Sequence, residues 1–144
     1  MNTTIRKHIE SILPELITIR HDIHAHPELG YKEERTSGVI QQFLSDNAVS
    51  FEAGLAKGTG VLAHIDGESN KAIGLRADID ALPIIEENEF AWKSVHEGCM
   101  HACGHDGHTT ILLGTAKVLS TLAAEHVLPN PVSFVFQPAE EGGG

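Results

Sequence analysis

Along the first 25 positions, apolar residues recur at helical spacing: Ile5, Ile9, Ile12 and Leu16, with Ile19 and Ile23 roughly extending the stripe. This predicts an amphipathic start, in which Pro14 either begins a second helix or kinks a single one. HPELG, at 26–30, breaks it. Glu33 and Glu34 then put negative charge where a new helix dipole favours it, ahead of Val39, Ile40, Phe43 and Leu44, and Asp46-Asn47 ends that second helix. The pattern changes at TGVLAHID (59–66), which mixes apolar positions in the manner of a strand. Asp66-Gly67 and the polar residues after it predict a hairpin turn into a second strand, AIGLRADI (72–79). Residues 108–124 return to helical spacing, with Leu112, Leu113, Ala116, Leu119 and Leu122 on one face. Pro129 and Pro131 precede VSFVF (132–136), a nearly continuous apolar run expected of a buried strand. The order helix, helix, strands, helix, strand predicts α/β with a mixed sheet.

A chain of 144 residues with 41% hydrophobic content can bury one domain's core, which argues against disorder. A formal charge of −10 argues against a nucleic-acid backbone or an anionic membrane as partner. No apolar run approaches the roughly 20 residues of a membrane span, and the charged N-terminus lacks the apolar core of a secretory signal. Cys99 and Cys103 make no disulfide framework, so a cytoplasmic setting is expected. Ten histidines, several clustered, point towards metal or proton-transfer chemistry.

Three polar clusters stand at strand ends or a helix start, where α/β proteins build their sites. They are Arg76-Ala-Asp78-Ile-Asp80, Cys103-Gly-His105-Asp106-Gly-His108 and Glu140-Glu141. The pair Cys103 and His105, in an irregular stretch, combines thiolate and imidazole and suits zinc or a similar borderline ion. Adjacent Glu140 and Glu141 can face different ways, one as ligand and one as base, the division that metal-assisted hydrolysis needs. Asp78 is then expected to hydrogen-bond a ligating histidine or to position an ion. Other readings stand beside this one. A closed zinc site of Cys99, Cys103, His105 and His108 has unusually tight spacing. A Cys103 nucleophile could take His101 or His24 as its base. Asp78-Ile-Asp80 could open a phosphoryl-transfer site, although Ala81-Leu82-Pro83 follows and no later Lys or Ser/Thr motif is evident. His24 and His26, at the end of the first helix, read as structural.

RHDIHAHPELGYKEERT, GLRADIDALPI, MHACGHDGHT and FVFQPAEEGGG, in this order and spacing, resemble the M20-type metallo-amidohydrolases. The branch includes hippurate hydrolase, N-acyl-amino-acid amidohydrolases, N-acetyl-diaminopimelate deacetylase and the plant auxin-conjugate hydrolases. The resemblance covers nearly the whole chain. It implies Cys103, His105 and Glu141 as metal ligands, Glu140 as the general base that activates water, and Asp78 as an active-site carboxylate. Arg76 stands where related peptidases carry a ligating histidine and is not counted as a ligand. The resemblance also implies a three-layer α/β/α catalytic domain with a mixed sheet, of which residues 1–144 form the N-terminal part. Two further histidine ligands and a smaller lid domain that usually dimerises are expected beyond Gly144. The implied cofactor is a divalent metal (zinc, manganese, cobalt or nickel), two ions per complete site. The implied substrate is a small-molecule N-acyl amino acid, cleaved to a carboxylate and a free amino acid by a homodimeric full-length protein. This stretch alone is expected to have little or no activity. The rival expectation is a truncated, inactive product that binds metal or a partner.

Overall fold

The computed structural model describes residues 3–142, so Gly143 and Gly144 of the terminal glycine run lie outside the described residues. Helix α1 spans Thr3–Ala25 as one element with Pro14 inside it. Helix α2 spans Glu34–Asp46. Its own N-cap residue makes no side-chain cap; instead Glu28 accepts the N–H groups of Arg35 at 2.9 Å and Thr36 at 2.7 Å. Two of the donors that every helix start leaves without an internal partner are thereby satisfied from the HPELG stretch. Helix α3 spans His105–Glu125 and so begins three residues before the periodicity suggests. None of these helices is long and apolar enough to cross a membrane.

Strands β1 (Ser50–Leu55), β2 (Gly60–Ile65), β3 (Ile73–Asp78) and β4 (Val132–Gln137) form one mixed sheet in the order β1-β2-β4-β3. β4 runs antiparallel to β2 and parallel to β3. The expected hairpin between β2 and β3 is therefore incorrect, because β4 sits between them. Gly67 is there for a different reason. Its backbone lies against the Asn130–Pro131 peptide, with no room for a Cβ, while Glu68 N–H donates to the Leu128 carbonyl at 2.9 Å. Strand β1 has no counterpart in the sequence reading. SFEAGL is a largely exposed edge held by backbone pairing to β2, with only Phe51 against the core, so no alternating pattern results.

Helices α2 and α3 pack on one face of the sheet, and α1 lies over α3. Ile40, Phe43 and Leu44 of α2 and Leu112, Leu113 and Ala116 of α3 meet Val61, Ala63, Phe134 and Phe136 in a continuous core. Burying each large apolar side chain is worth about 1.5–3 kcal/mol. The alternate positions Leu62 and His64 face away from that core and are exposed. The consequence for function is the parallel pairing of β3 with β4. Asp78 pairs with Gln137, and Ile79 N–H continues the ladder to the Gln137 carbonyl at 3.0 Å. The segments after both strands, and the start of α3, therefore emerge at one end of the sheet.

Candidate metal centre

His105 is the first residue of α3, preceded by Gly104 at φ 92°. The first turn of the helix is tied to the end of β3, where the Thr109 hydroxyl donates to the Asp78 carbonyl at 3.0 Å. His105 Nδ1 lies 2.9 Å from the Asp80 carbonyl oxygen and 3.2 Å from Asp80 Oδ1. A carbonyl only accepts, so Nδ1 carries the hydrogen, and in the neutral ring the lone pair is on Nε2. Nε2 stands 4.0 Å from both Glu140 Oε2 and Glu141 Oε1.

Cys103, His105 and Glu141 each offer one ligand atom, and those atoms lie within 4.8 Å of one another. Asp78, His105 and Glu140 form a second group of the same span. The donor set of thiol, imidazole and carboxylate fits a borderline divalent ion, with bonds of about 2.0–2.3 Å each. Cys103 is exposed, and its thiol is held above the ordinary value by its hydrogen bond with Glu141, then by burial and the charges of Glu141, Glu140 and Asp80. A nucleophilic cysteine needs the opposite shift, whereas a cation deprotonates a coordinating thiol. The shift therefore disfavours the reading of Cys103 as a nucleophile. The tight four-ligand zinc site is also not the grouping that forms. Cys99 Sγ donates instead to the Pro27 carbonyl at 3.5 Å, and burial, then the Glu28 charge, raises its thiol.

His105 Nδ1–H donates to Asp80, so of the two roles expected of Asp78 the hydrogen bond to the histidine falls to its neighbour, while Asp78 stays grouped with His105 and Glu140. Asp80 is buried, and its Oδ2 also accepts the Glu141 N–H at 2.9 Å. Asp78 Oδ1 accepts from Arg76 Nε at 2.8 Å. Behind His105 lies a second buried network. Asp106 Oδ2 is 2.8 Å from His24 Nδ1 and accepts from Arg20 Nε at 3.0 Å, while His24 Nε2 is 3.0 Å from Glu86 Oε1. Burial alone would raise the Asp106 pKa; the His24 contact outweighs it, with His101, the Gly107 N–H and Arg20, and holds the carboxyl below its usual range. His101 is buried with neither ring nitrogen hydrogen-bonded, and burial is the largest influence in bringing its pKa down to about 4. Asp80 and Asp106 stand in the polar clusters of the sequence but have no role assigned there in the metal centre, and Glu86 is not singled out at all. Asp80 is signalled by the D-x-D pattern and Asp106 by its place between two histidines; Glu86 carries no signal, since its partner in this network, His24, comes from a distant segment.

Residues 74–144 match peptidase family M20/M25/M40. A protein of Staphylococcus epidermidis (strain ATCC 12228) named "uncharacterized hydrolase" is 47% identical over 131 residues, which cover 90% of this chain and 34% of that protein. The crystal structure of the Bacillus subtilis YXEP protein, called "a dinuclear metal binding peptidase from M20 family", is 43% identical with a TM-score of 0.85, over 92% of this chain and 36% of that one. The aminobenzoyl-glutamate utilization protein of Klebsiella pneumoniae, 24% identical with a TM-score of 0.71 over 96% of this chain and 40% of that one, shares the fold. The chain thus spans about a third of the length of the curated relatives it matches.

Proposed function

We propose that this chain, whose residues 74–144 match peptidase family M20/M25/M40, carries the Cys103, His105 and Glu141 ligands of a metal-dependent hydrolase acting on N-acyl amino acids. The observation that supports this most is the convergence of those three ligand atoms within 4.8 Å, with Glu140 beside them. A bound divalent ion would polarise an amide carbonyl and acidify a water. Glu140, whose side chain is 42% exposed, takes the proton of the attacking water and returns it to the leaving nitrogen as the C–N bond breaks. Cys103 Sγ, His105 Nε2 and a Glu141 oxygen would hold the ion, and Asp78, paired with Arg76, would steady the adjoining side of the centre. The dinuclear character of the Bacillus subtilis protein supports two ions in the complete site. Zinc, manganese, cobalt and nickel all suit these donors. The same reading gives the whole protein a small-molecule substrate and a cytoplasmic, homodimeric form.

The test is release of free amino acid by the full-length protein from a panel of N-acyl amino acids, hippurate among them, with each of the four metals. Metal-dependent release is expected, lost in Glu140→Gln while calorimetric metal binding persists. Release that survives a chelator, or survives Glu140→Gln, would overturn the reading. Metal binding without release from any substrate would favour the non-catalytic product instead.

A further inference from the structure

The HPELGYKEE stretch supplies no candidate ligand, yet it converges on the turn that carries Glu140 and Glu141. Leu29 forms a parallel bridge with Ala81, and Ala81 N–H donates to the Glu28 carbonyl at 2.8 Å. This stretch therefore runs beside the segment leaving β3. At Gly30 a Cβ would stand 3.0 Å from both Cα and Cβ of Ala139, so only glycine admits the approach without displacement. Fully buried Glu33 then accepts the Ala139 N–H on Oε1 at 2.9 Å and the Thr59 hydroxyl on Oε2 at 2.8 Å.

Ala139 has φ 57°, a left-handed conformation that residues with a Cβ disfavour. Such a conformation persists only where its surroundings over-determine it. Here Glu33 holds the N–H on one side of Glu140, and Asp80 holds the Glu141 N–H on the other. The direction in which both glutamates leave the turn is thus set by two buried acids, one from each neighbouring segment.

We infer that Glu33 is a positioning residue for the metal centre: by fixing the left-handed turn at Ala139 it aims Glu140 and Glu141 towards Cys103 and His105. The inference rests on the proposed role of Glu141 as a ligand. It assigns Glu33 no contact with the ion or the substrate.

The test uses the 144-residue chain with two readouts, Co(II) affinity by calorimetry and hydrogen exchange of the Ala139 amide by NMR. Glu33→Met keeps the volume but leaves the Ala139 N–H without an acceptor. It is expected to expose that amide to exchange and to weaken Co(II) binding about tenfold, as loss of an outer-sphere partner does. Glu33→Gln, whose amide oxygen still accepts from Ala139 and whose NH2 can donate to Thr59, is expected to stay close to the unsubstituted protein. Ala139→Gly added to Glu33→Met should recover most of the Co(II) affinity, because glycine takes the left-handed conformation freely. A role confined to packing would leave both readouts unchanged while stability fell, or would leave the double variant unrecovered, and either result overturns the inference. If Glu33→Met does not fold, Glu33→Asp serves the same comparison, since the shorter side chain cannot span both partners. Failure of the unsubstituted chain to bind Co(II), or equal binding by Glu141→Gln, would refute the ligand reading; the Ala139 amide would still decide whether Glu33 fixes the turn.

Discussion

The Asp80 carbonyl oxygen accepts the Nδ1 hydrogen of His105 at 2.9 Å, which leaves Nε2 free towards Glu140 and Glu141. The same residue fixes Glu141 through its side chain, so it orients two candidate ligands carried by different elements. Asp80→Ala keeps the backbone contact and removes the side-chain one. It is expected to weaken Zn(II) or Co(II) binding roughly 10–100-fold. Stability should fall by about 1–3 kcal/mol as the Glu141 N–H loses its partner. Calorimetric titration, with circular dichroism to confirm folding, measures both, and unchanged affinity would remove Asp80 from the centre.

Cys103 gives the metal affinity a pH dependence of known sign. Its thiol is held above the ordinary value, first by the hydrogen bond with Glu141, so at neutral pH an incoming ion must displace a proton. One proton released per ion makes affinity rise with pH, by up to about tenfold per unit below the thiol pKa. The Co(II)–thiolate absorption band, titrated at several pH values, reads this directly. Cys103→Ser should abolish the band and flatten most of the slope; an unaltered slope would show that the thiol is not a ligand.

What the sequence made legible follows the distance over which each feature is encoded. Helices α1 and α2 and strands β2 and β4 are written in local periodicity, and Cys103, His105, Glu140 and Glu141 in short motifs. Strand β1 is not legible because only Phe51 of its side chains reaches the core, and the start of α3 because His105, Asp106 and His108 interrupt the apolar pattern. The strand order could not be read locally, since β4 reaches its place between β2 and β3 from more than fifty residues away. The same applies to Glu33 and Glu86, whose significance comes from partners at Ala139 and His24.

Gly67 discriminates between the hairpin that its neighbourhood suggests and the crossover that forms. In a two-residue turn, Gly67→Ala would cost about 1 kcal/mol. Here the added Cβ meets the Asn130–Pro131 backbone, which cannot yield without moving the entry to β4. Overpacking of that kind typically costs about 1–3 kcal/mol, occasionally more, and the expectation is at the upper end. Urea denaturation of the variant measures it, and a loss well under 1 kcal/mol would contradict the observed strand order.

Acid stability should decline over two adjoining windows with different owners. His101 falls from an ordinary 6.5 to about 4, chiefly through burial, with His24 and His105 adding to the effect against the charges of Asp106 and Asp80. The unfolded chain therefore binds the extra proton first, and stability drops as pH falls from about 6.5 to 4. For Glu86, burial would raise the pKa, but the Ser94 N–H, the Asn88 amide and His24 together bring it from 4.5 to about 2. Its contribution is present above the unfolded value and is lost as pH falls from about 4.5 to 2. Each window is expected to span on the order of 3 kcal/mol. Urea midpoints at pH 7, 5 and 3 separate the two: His101→Phe should flatten the upper window and Glu86→Gln the lower. If His101→Phe retains the full decline between pH 6.5 and 4, a different group is titrating there.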